Sequence, residues 1–185
     1  MKTLIIWLKK RKFGKIIQEN LDSLWKLAYM KCQNKDVASD LVQDTCLKAY
    51  EAYTKKDEFI ESPKRWLSKI LLNTYIDYTR KKHFETVDIE SIEVRDKKNF
   101  VEETEANIFF KELQEVLNEL KPEQREIVFL KDVDDYSYKE ISELLNIPLG
   151  TVMSRLHTAR QALRKLLIQE GYSQEGIKPG KKNEL

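Results

Sequence analysis

With 185 residues the chain has room for one ordinary domain or two small ones. Hydrophobic residues at 41% and charged residues at 35% describe a packed core under a charged surface, which excludes a wholly disordered chain. The net charge of +2 decides nothing by itself, and its distribution along the chain carries the information.

Five glycines and four prolines are too few for the turns of an all-β fold, so an all-α fold is expected. Cys32 and Cys46 are the only cysteines and His83 and His157 the only histidines. No C-x-x-C pair or histidine cluster exists, so neither a structural zinc site nor any other cofactor is expected. Two scattered thiols fit a reducing compartment. The apolar run Leu4–Leu8 is shorter than a signal-peptide core, and most of the positive charge follows it. No stretch is long enough to span a bilayer, so a cytoplasmic protein without stable membrane insertion is expected.

Residues 1–18 form a basic arm, with Lys2, Lys9, Lys10, Arg11, Lys12 and Lys15 and no acid before Glu19. It reads as a solvated extension of the first helix, or as a weak contact for nucleic acid or a membrane surface. A helix is predicted from Glu19 to Gln33, with Leu21, Leu24, Trp25, Ala28 and Tyr29 at three- and four-residue steps. A second covers Asp36–Tyr53, with Val37, Leu41, Thr45, Ala49 and Tyr53 along one side. After a polar loop, Ser62-Pro63 reads as an N-cap followed by proline at the first helical position, and the helix runs to Lys82. Residues 84–104 lose hydrophobic periodicity, and their acids outweigh Arg95, Lys97 and Lys98. They form the predicted linker between a first domain, 19–83, and a second, 105–170. In the second domain one helix ends at Lys121-Pro122 and a short one covers Glu123–Lys131. The S-x-x-E sequence Ser137–Glu140 is a capping box that opens a helix ending near Asn146. Pro148 and Gly150 frame the start of a last helix running to about Glu170, and a tail, 171–185, follows.

Ser137–Leu167 gives the strongest local signal: a short helix, a tight turn and a longer basic helix, the arrangement that places a recognition helix in the major groove. Val152, Leu156, Ala159, Leu163 and Leu166 step by three and four as a buried stripe. Thr151, Ser154, Arg155 and Thr158 lie off that stripe, near the N-terminus, where backbone N–H groups favour phosphate. Arg155 can pair with phosphate or bidentately with guanine, and Met153 offers apolar contact. Arg160, Arg164 and Lys165 add positive charge further along. A helical hairpin with a basic solvated face is the competing reading of the same segment.

At this point residues accumulate that resemble the extracytoplasmic-function sigma factors. Lys121-Pro-Glu-Gln-Arg-Glu-Ile-Val, Ser137-Tyr-Lys-Glu-Ile-Ser and Pro148-Leu-Gly-Thr-Val-Met-Ser-Arg-Leu-His-Thr-Ala-Arg160 resemble the family's C-terminal domain. Asp36–Asp44 resembles its polymerase-binding helix, and Trp66–Arg80 its promoter-melting helix. The likeness spans about residues 19–170 in family order. It implies that Asp36, Asp40, Gln43 and Asp44 bind core RNA polymerase. Read alone, those acids are a solvated helix face. It implies that the N-terminal domain captures the downstream (minus-ten) promoter element, with Phe59 stacking on or framing an unstacked base, or else anchoring its loop. Arg65, Lys69, Arg80, Lys81 and Lys82 then face the DNA backbone. Asn73 belongs to the same set, unless it and Asp77 bond to each other. The C-terminal domain reads the upstream (minus-thirty-five) element through Thr151, Met153, Ser154, Arg155, Thr158 and Arg160. An anti-sigma protein is a further implied partner. The sequence departs from the family at Cys46, usually aromatic; at Leu72, commonly basic; at Asp135 and Ser142, usually glycine and alanine; at Asn146, usually glycine; and at Met153, frequently basic.

Three rival functions fit the sequence less well. A helix-turn-helix response regulator needs a receiver domain of alternating strands and helices, and residues 1–83 read as wholly helical. A helical adaptor that binds only protein leaves Arg155 and its basic face without a task. An enzyme is not expected: there is no nucleotide loop, metal cluster or nucleophile–base pair, and no small-molecule substrate is implied.

Overall fold

The structure is a computed structural model that describes residues 2–55, 60–85 and 114–169. All regular structure among them is helical: α1 (Lys2–Cys32), α2 (Lys35–Lys55), α3 (Pro63–Glu85), α4 (Pro122–Val128), a π-helical turn (Phe129–Val133), α5 (Tyr138–Leu145) and α6 (Leu149–Gln169). Residues 114–118 are also helical. The chain divides into two compact units, the first built on α1–α3 and the second mainly on α4–α6. Most of the predicted linker 84–104, together with the start of the predicted second domain up to residue 113, lies outside the described residues, as does the tail.

In the first unit α1, α2 and α3 pack pairwise around one core. Its centre is Leu24, Leu27, Ala28, Ala38, Leu41, Ala49, Leu67 and Leu71, all essentially without solvent contact. On α2 the buried set is Ala38, Leu41, Val42, Thr45 and Ala49. The predicted stripe was a little out of phase, because Val37 is only half-buried while Ala38 and Val42 turn inward. Thr45 is tolerated there because its hydroxyl donates to the Leu41 carbonyl at 2.6 Å, as a buried polar group requires. The α1–α2 turn is made by two polar residues. Gln33 takes the left-handed conformation (φ 54°), and the Asn34 side chain accepts the Val37 N–H at 3.0 Å as the N-cap of α2.

The first helix is longer than its periodicity foretold. It runs unbroken through the basic arm, and Phe13 is buried against Tyr50 and Tyr53, with ring centroids 5.3 Å apart in both pairs. The packed unit therefore begins before Glu19. In α3, Pro63 opens the helix as expected, and Trp66 is half-buried rather than central.

In the second unit Leu117, Leu120, Ile127, Val128, Phe129, Leu130, Ile141, Val152, Leu156 and Ala159 form the core. Arg125 is buried to 8% exposure, and its guanidinium donates to the Leu120 carbonyl at 3.3 Å, closing the turn before α4. The short helix predicted to end at Lys131 passes at Phe129 into the π-helical turn, a wider coil that often marks a functional position. Asp135 follows at φ 59°, which explains why glycine is usual there. The capping box forms in full. The Glu140 N–H donates to Ser137 Oγ at 3.2 Å, and the Ser137 N–H donates to Glu140 Oε2 at 2.9 Å. Ser137→Ala is expected to lower unfolding stability by about 1 kcal/mol, read from urea denaturation, because the N-terminal amides of α5 lose that partner.

Candidate functional site

The helix-turn-helix is fixed by its turn. Asn146 closes α5 in the left-handed conformation (φ 53°), with its N–H bonded to the Ser142 carbonyl. Ser142, where the family usually has alanine, donates its hydroxyl to the Ile147 carbonyl at 2.6 Å, and the Ile147 N–H returns to the Ser142 carbonyl at 3.1 Å. The serine thus stitches the turn from both sides. Pro148 then offers its carbonyl to the Thr151 and Val152 amides, at 2.9 and 3.1 Å, and α6 begins. Gly150 has an ordinary φ, and a Cβ there would meet open space. The fold does not demand glycine at that point, and its bare surface leaves the start of α6 open to close approach.

On α6, Val152, Leu156 and Ala159 are buried, whereas Leu163 and Leu166, predicted to continue the stripe, are half-buried. Ser154, His157, Thr158 and Gln161 point away from this core and are exposed. The Ser154 and Thr158 hydroxyls donate back to the Thr151 and Ser154 carbonyls at 3.2 and 3.1 Å, which sets their rotamers. Thr151 is half-buried at the edge of this face. Exposed Arg155 flanks it on one margin, and Met153 (50% exposed) with Arg160 lies along the other. His157 and Gln161, 3.0 Å apart, occupy the middle of the face and were missed by the sequence reading, although their three- and seven-residue steps from Ser154 pointed there. Arg160 is engaged within its own unit. Its guanidinium holds both carboxylate oxygens of Asp132 in the π-helical turn, and this partner pushes the guanidinium pKa still higher. A phosphate contact from Arg160 must share or displace that pair.

On α2, Asp36, Asp40, Gln43 and Asp44 are all exposed, opposite the buried stripe. Among them stands Leu47, 63% exposed and three to seven residues from Asp40, Gln43 and Asp44. The sequence reading missed it because a leucine in a helix is by default counted as core. A large apolar side chain ringed by acids is the usual anatomy of a protein-binding patch. Beside it a groove of about 530 Å³ separates α2 from α3, lined by Asp44, Leu47, Glu51, Tyr78, Arg80 and Lys81, with Lys48 paired to Asp77 at 3.1 Å. Asp77 thus bonds across to α2.

On α3, Arg65, Lys69, Asn73 and Arg80 fall within about 80° of arc at 3.6 residues per turn. Asn73 and Arg80 are exposed and Arg65 and Lys69 half-buried; Lys81 is exposed to one side of this strip. Leu72 is buried at 7%, which accounts for an apolar residue at a commonly basic position. Phe59 lies outside the described residues. Both thiols are half-buried, and burial raises the pKa of each, which disfavours a reactive thiolate. Among the described residues no group of three His, Cys, Asp or Glu could hold a metal, and no helix is long and apolar enough to cross a membrane.

Comparison with known proteins accounts for both units. The sigma-70 region 2 family matches residues 16–85, and the sigma-70 region 4 family matches residues 110–163. RNA polymerase sigma factor SigV of Bacillus subtilis is 31% identical over 163 residues, covering 85% of this chain and 92% of its own. ECF RNA polymerase sigma factor SigW of the same organism is 30% identical over 168 residues, covering 84% and 88%. ECF RNA polymerase sigma factor SigE of Mycolicibacterium smegmatis is 30% identical over 163 residues, and the matched part spans only 62% of that longer protein. Among solved structures, the sigma factor RpoE in complex with the anti-sigma factor NepR from Bartonella quintana superposes with a TM-score of 0.67 at 29% identity, over 85% of this chain and 98% of that one. CnrH in complex with the cytosolic domain of CnrY gives 0.61 at 23% identity, over 87% and 90%, a likeness of fold.

Proposed function

The chain belongs to the extracytoplasmic-function family of RNA polymerase sigma factors, and from that premise we propose how its surfaces divide the work of promoter recognition. It binds core RNA polymerase in the cytoplasm and directs it to a specific set of promoters, and the polymerase supplies the chemistry. The acidic face of α2, Asp36, Asp40, Gln43 and Asp44 around Leu47, is the polymerase contact. The strip on α3, Arg65, Lys69, Asn73 and Arg80 with Lys81 and the preceding Phe59, faces the downstream element. The outward face of α6, Thr151, Met153, Ser154, Arg155, His157 and Thr158, reads the upstream element. Residues 84–104 join the domains 19–83 and 105–170, and limited proteolysis is expected to cut there first and release two folded fragments. The complex of the sigma factor RpoE with the anti-sigma factor NepR supports an anti-sigma protein as a further partner.

The observation that carries this reading is the division of exposed chemistry. Acids around one leucine lie on α2, and a cation-flanked polar face begins at the open N-terminus of α6. Only the second suits phosphate and base edges. Site-specific photocrosslinking tests it. With the probe at Ser154, the holoenzyme is expected to label promoter DNA about 35 base pairs upstream of the start, the spacing that the family implies. With the probe at Gln43, it is expected to label a large polymerase subunit. A swap of the two targets, or DNA labelling from Gln43, contradicts the assignment.

A further inference from the structure

Exposed large apolar side chains are scarce in the second unit. Among its described residues they are Leu149 (46% exposed), Met153 (50%) and Ile168 (41%), and the first two stand together on the opening turns of α6. They are one helical turn apart, which puts their β-carbons roughly 5–6 Å from each other on one side of the helix. Neither holds the fold together. Val152, Leu156 and Ala159 carry the core side of α6, and Ser142, Asn146 and Pro148 close the turn before it. A single apolar side chain on a surface is ordinary, whereas two adjacent ones at the leading end of the proposed reading helix call for a cover.

Two features say what covers them. Gly150 follows Leu149, and its missing side chain leaves open space through which a base edge can come close to the pair. Every charge on α6 is positive: Arg155, Arg160, Arg164 and Lys165, with no acid from Leu149 to Gln169. A helix so charged complements a polyanion. In the major groove the C5-methyl of thymine is the one methyl group that a base edge presents. Guanine, adenine and cytosine present donors and acceptors there, which an alkyl side chain strips of water and cannot bond.

We propose that Leu149 and Met153 are specificity-determining residues that select thymine through its C5-methyl group, at two positions of the upstream element; this rests on α6 being the helix that meets that element. Their spacing, against a rise of about 3.4 Å per base step, places the two thymines within two steps of each other. Met153 brings a flexible, polarizable thioether that adapts to the methyl, and Leu149 brings a branched end that is more rigid. The departure at Met153 from a frequently basic residue is then a change in what is read, since a basic residue there pairs with guanine.

Selection followed by single-atom-group substitution in the DNA tests this. Holoenzyme reconstituted from core RNA polymerase and the full chain is selected on duplexes randomised only over the upstream element. The selected element is then rebuilt with deoxyuridine in place of one thymine at a time. Uracil pairs as thymine does and lacks only the methyl. Affinity is expected to fall about fourfold at each of two thymines. Leu149→Ala with Met153→Ala is expected to bind the thymine duplex about tenfold more weakly and to lose the response to uracil, with unchanged circular dichroism. Met153→Arg is expected to shift the selected base at one of the two positions to guanine. A selected element without thymine, affinity indifferent to uracil, or a uracil response that survives in the double alanine variant overturns the proposal while leaving α6 as the reading helix. If the holoenzyme selects no sequence there, α6 is not the reading helix and the proposal falls with it. A double alanine variant that keeps its DNA affinity but loses core polymerase makes the pair a protein contact, which also overturns it.

Discussion

Replacing Asp40 and Asp44 together by lysine is expected to reduce capture of core RNA polymerase at least about a hundredfold, close to 3 kcal/mol, while leaving the protein folded. The two residues are one helical turn apart and both exposed, so they present one patch. The α2 core, Ala38, Leu41, Val42, Thr45 and Ala49, lies on the opposite side and is not disturbed. In the proposed complex the partner surface is basic, and reversal brings like charges together where water is excluded. Screening by salt is then weak. Leu47→Ser separates charge from burial. It removes no charge, yet it is expected to weaken capture about tenfold, mainly through faster dissociation, because an exposed leucine within an acidic ring gains its value when covered. The check is pull-down of core polymerase, with circular dichroism on the same samples. Wild-type capture by the double lysine variant would mean that the acids only solvate the helix.

Arg155→Ala is expected to lower affinity for the upstream promoter element by about 1–3 kcal/mol and to relax sequence preference at one position. Arg155 is exposed on the second turn of α6, and Val152, Leu156 and Ala159 hold that helix in place without it. Arg160 provides the internal contrast. Because Asp132 already holds its guanidinium, Arg160→Ala is expected to act first on the fold, freeing α6 from the π-helical turn. Thermal unfolding separates the two. Arg155→Ala should melt as the wild type does, and Arg160→Ala should melt at a lower temperature. Unchanged transcription from a promoter that depends on its upstream element would remove Arg155 from the interface.

The helix-turn-helix was legible in the sequence because its determinants are local. The Ser137–Glu140 box, the left-handed Asn146 and Pro148 each act within a few residues of chain, and each is found where the spacing put it. The arm's reading as an extension of the first helix agrees with α1, but the packing of Phe13 on Tyr50 and Tyr53 was not legible, because residues 4–12 are apolar and then basic without a 3.6-residue stripe, and periodicity has nothing to report there. The π-helical turn was hidden for another reason. No propensity encodes it, and it is tied to a pairing of Asp132 with a residue twenty-eight positions away. Leu47 illustrates the limit at the site itself. Hydrophobicity alone assigns it inward, and only the fixed phase of α2 turns it to solvent. Asp135 and Ser142 appeared in the sequence as departures from the family, and the structure gives each a cause: a left-handed backbone position and a hydroxyl that closes a turn.

In vitro transcription by core RNA polymerase on a genomic promoter library, with and without the purified protein, measures directly whether this chain gives core polymerase its promoter specificity. Specific transcripts are expected only when the protein is present, from promoters that share two short elements separated by a fixed spacer. Initiation indifferent to its addition, or stimulated equally on promoters that share no element, would contradict the account.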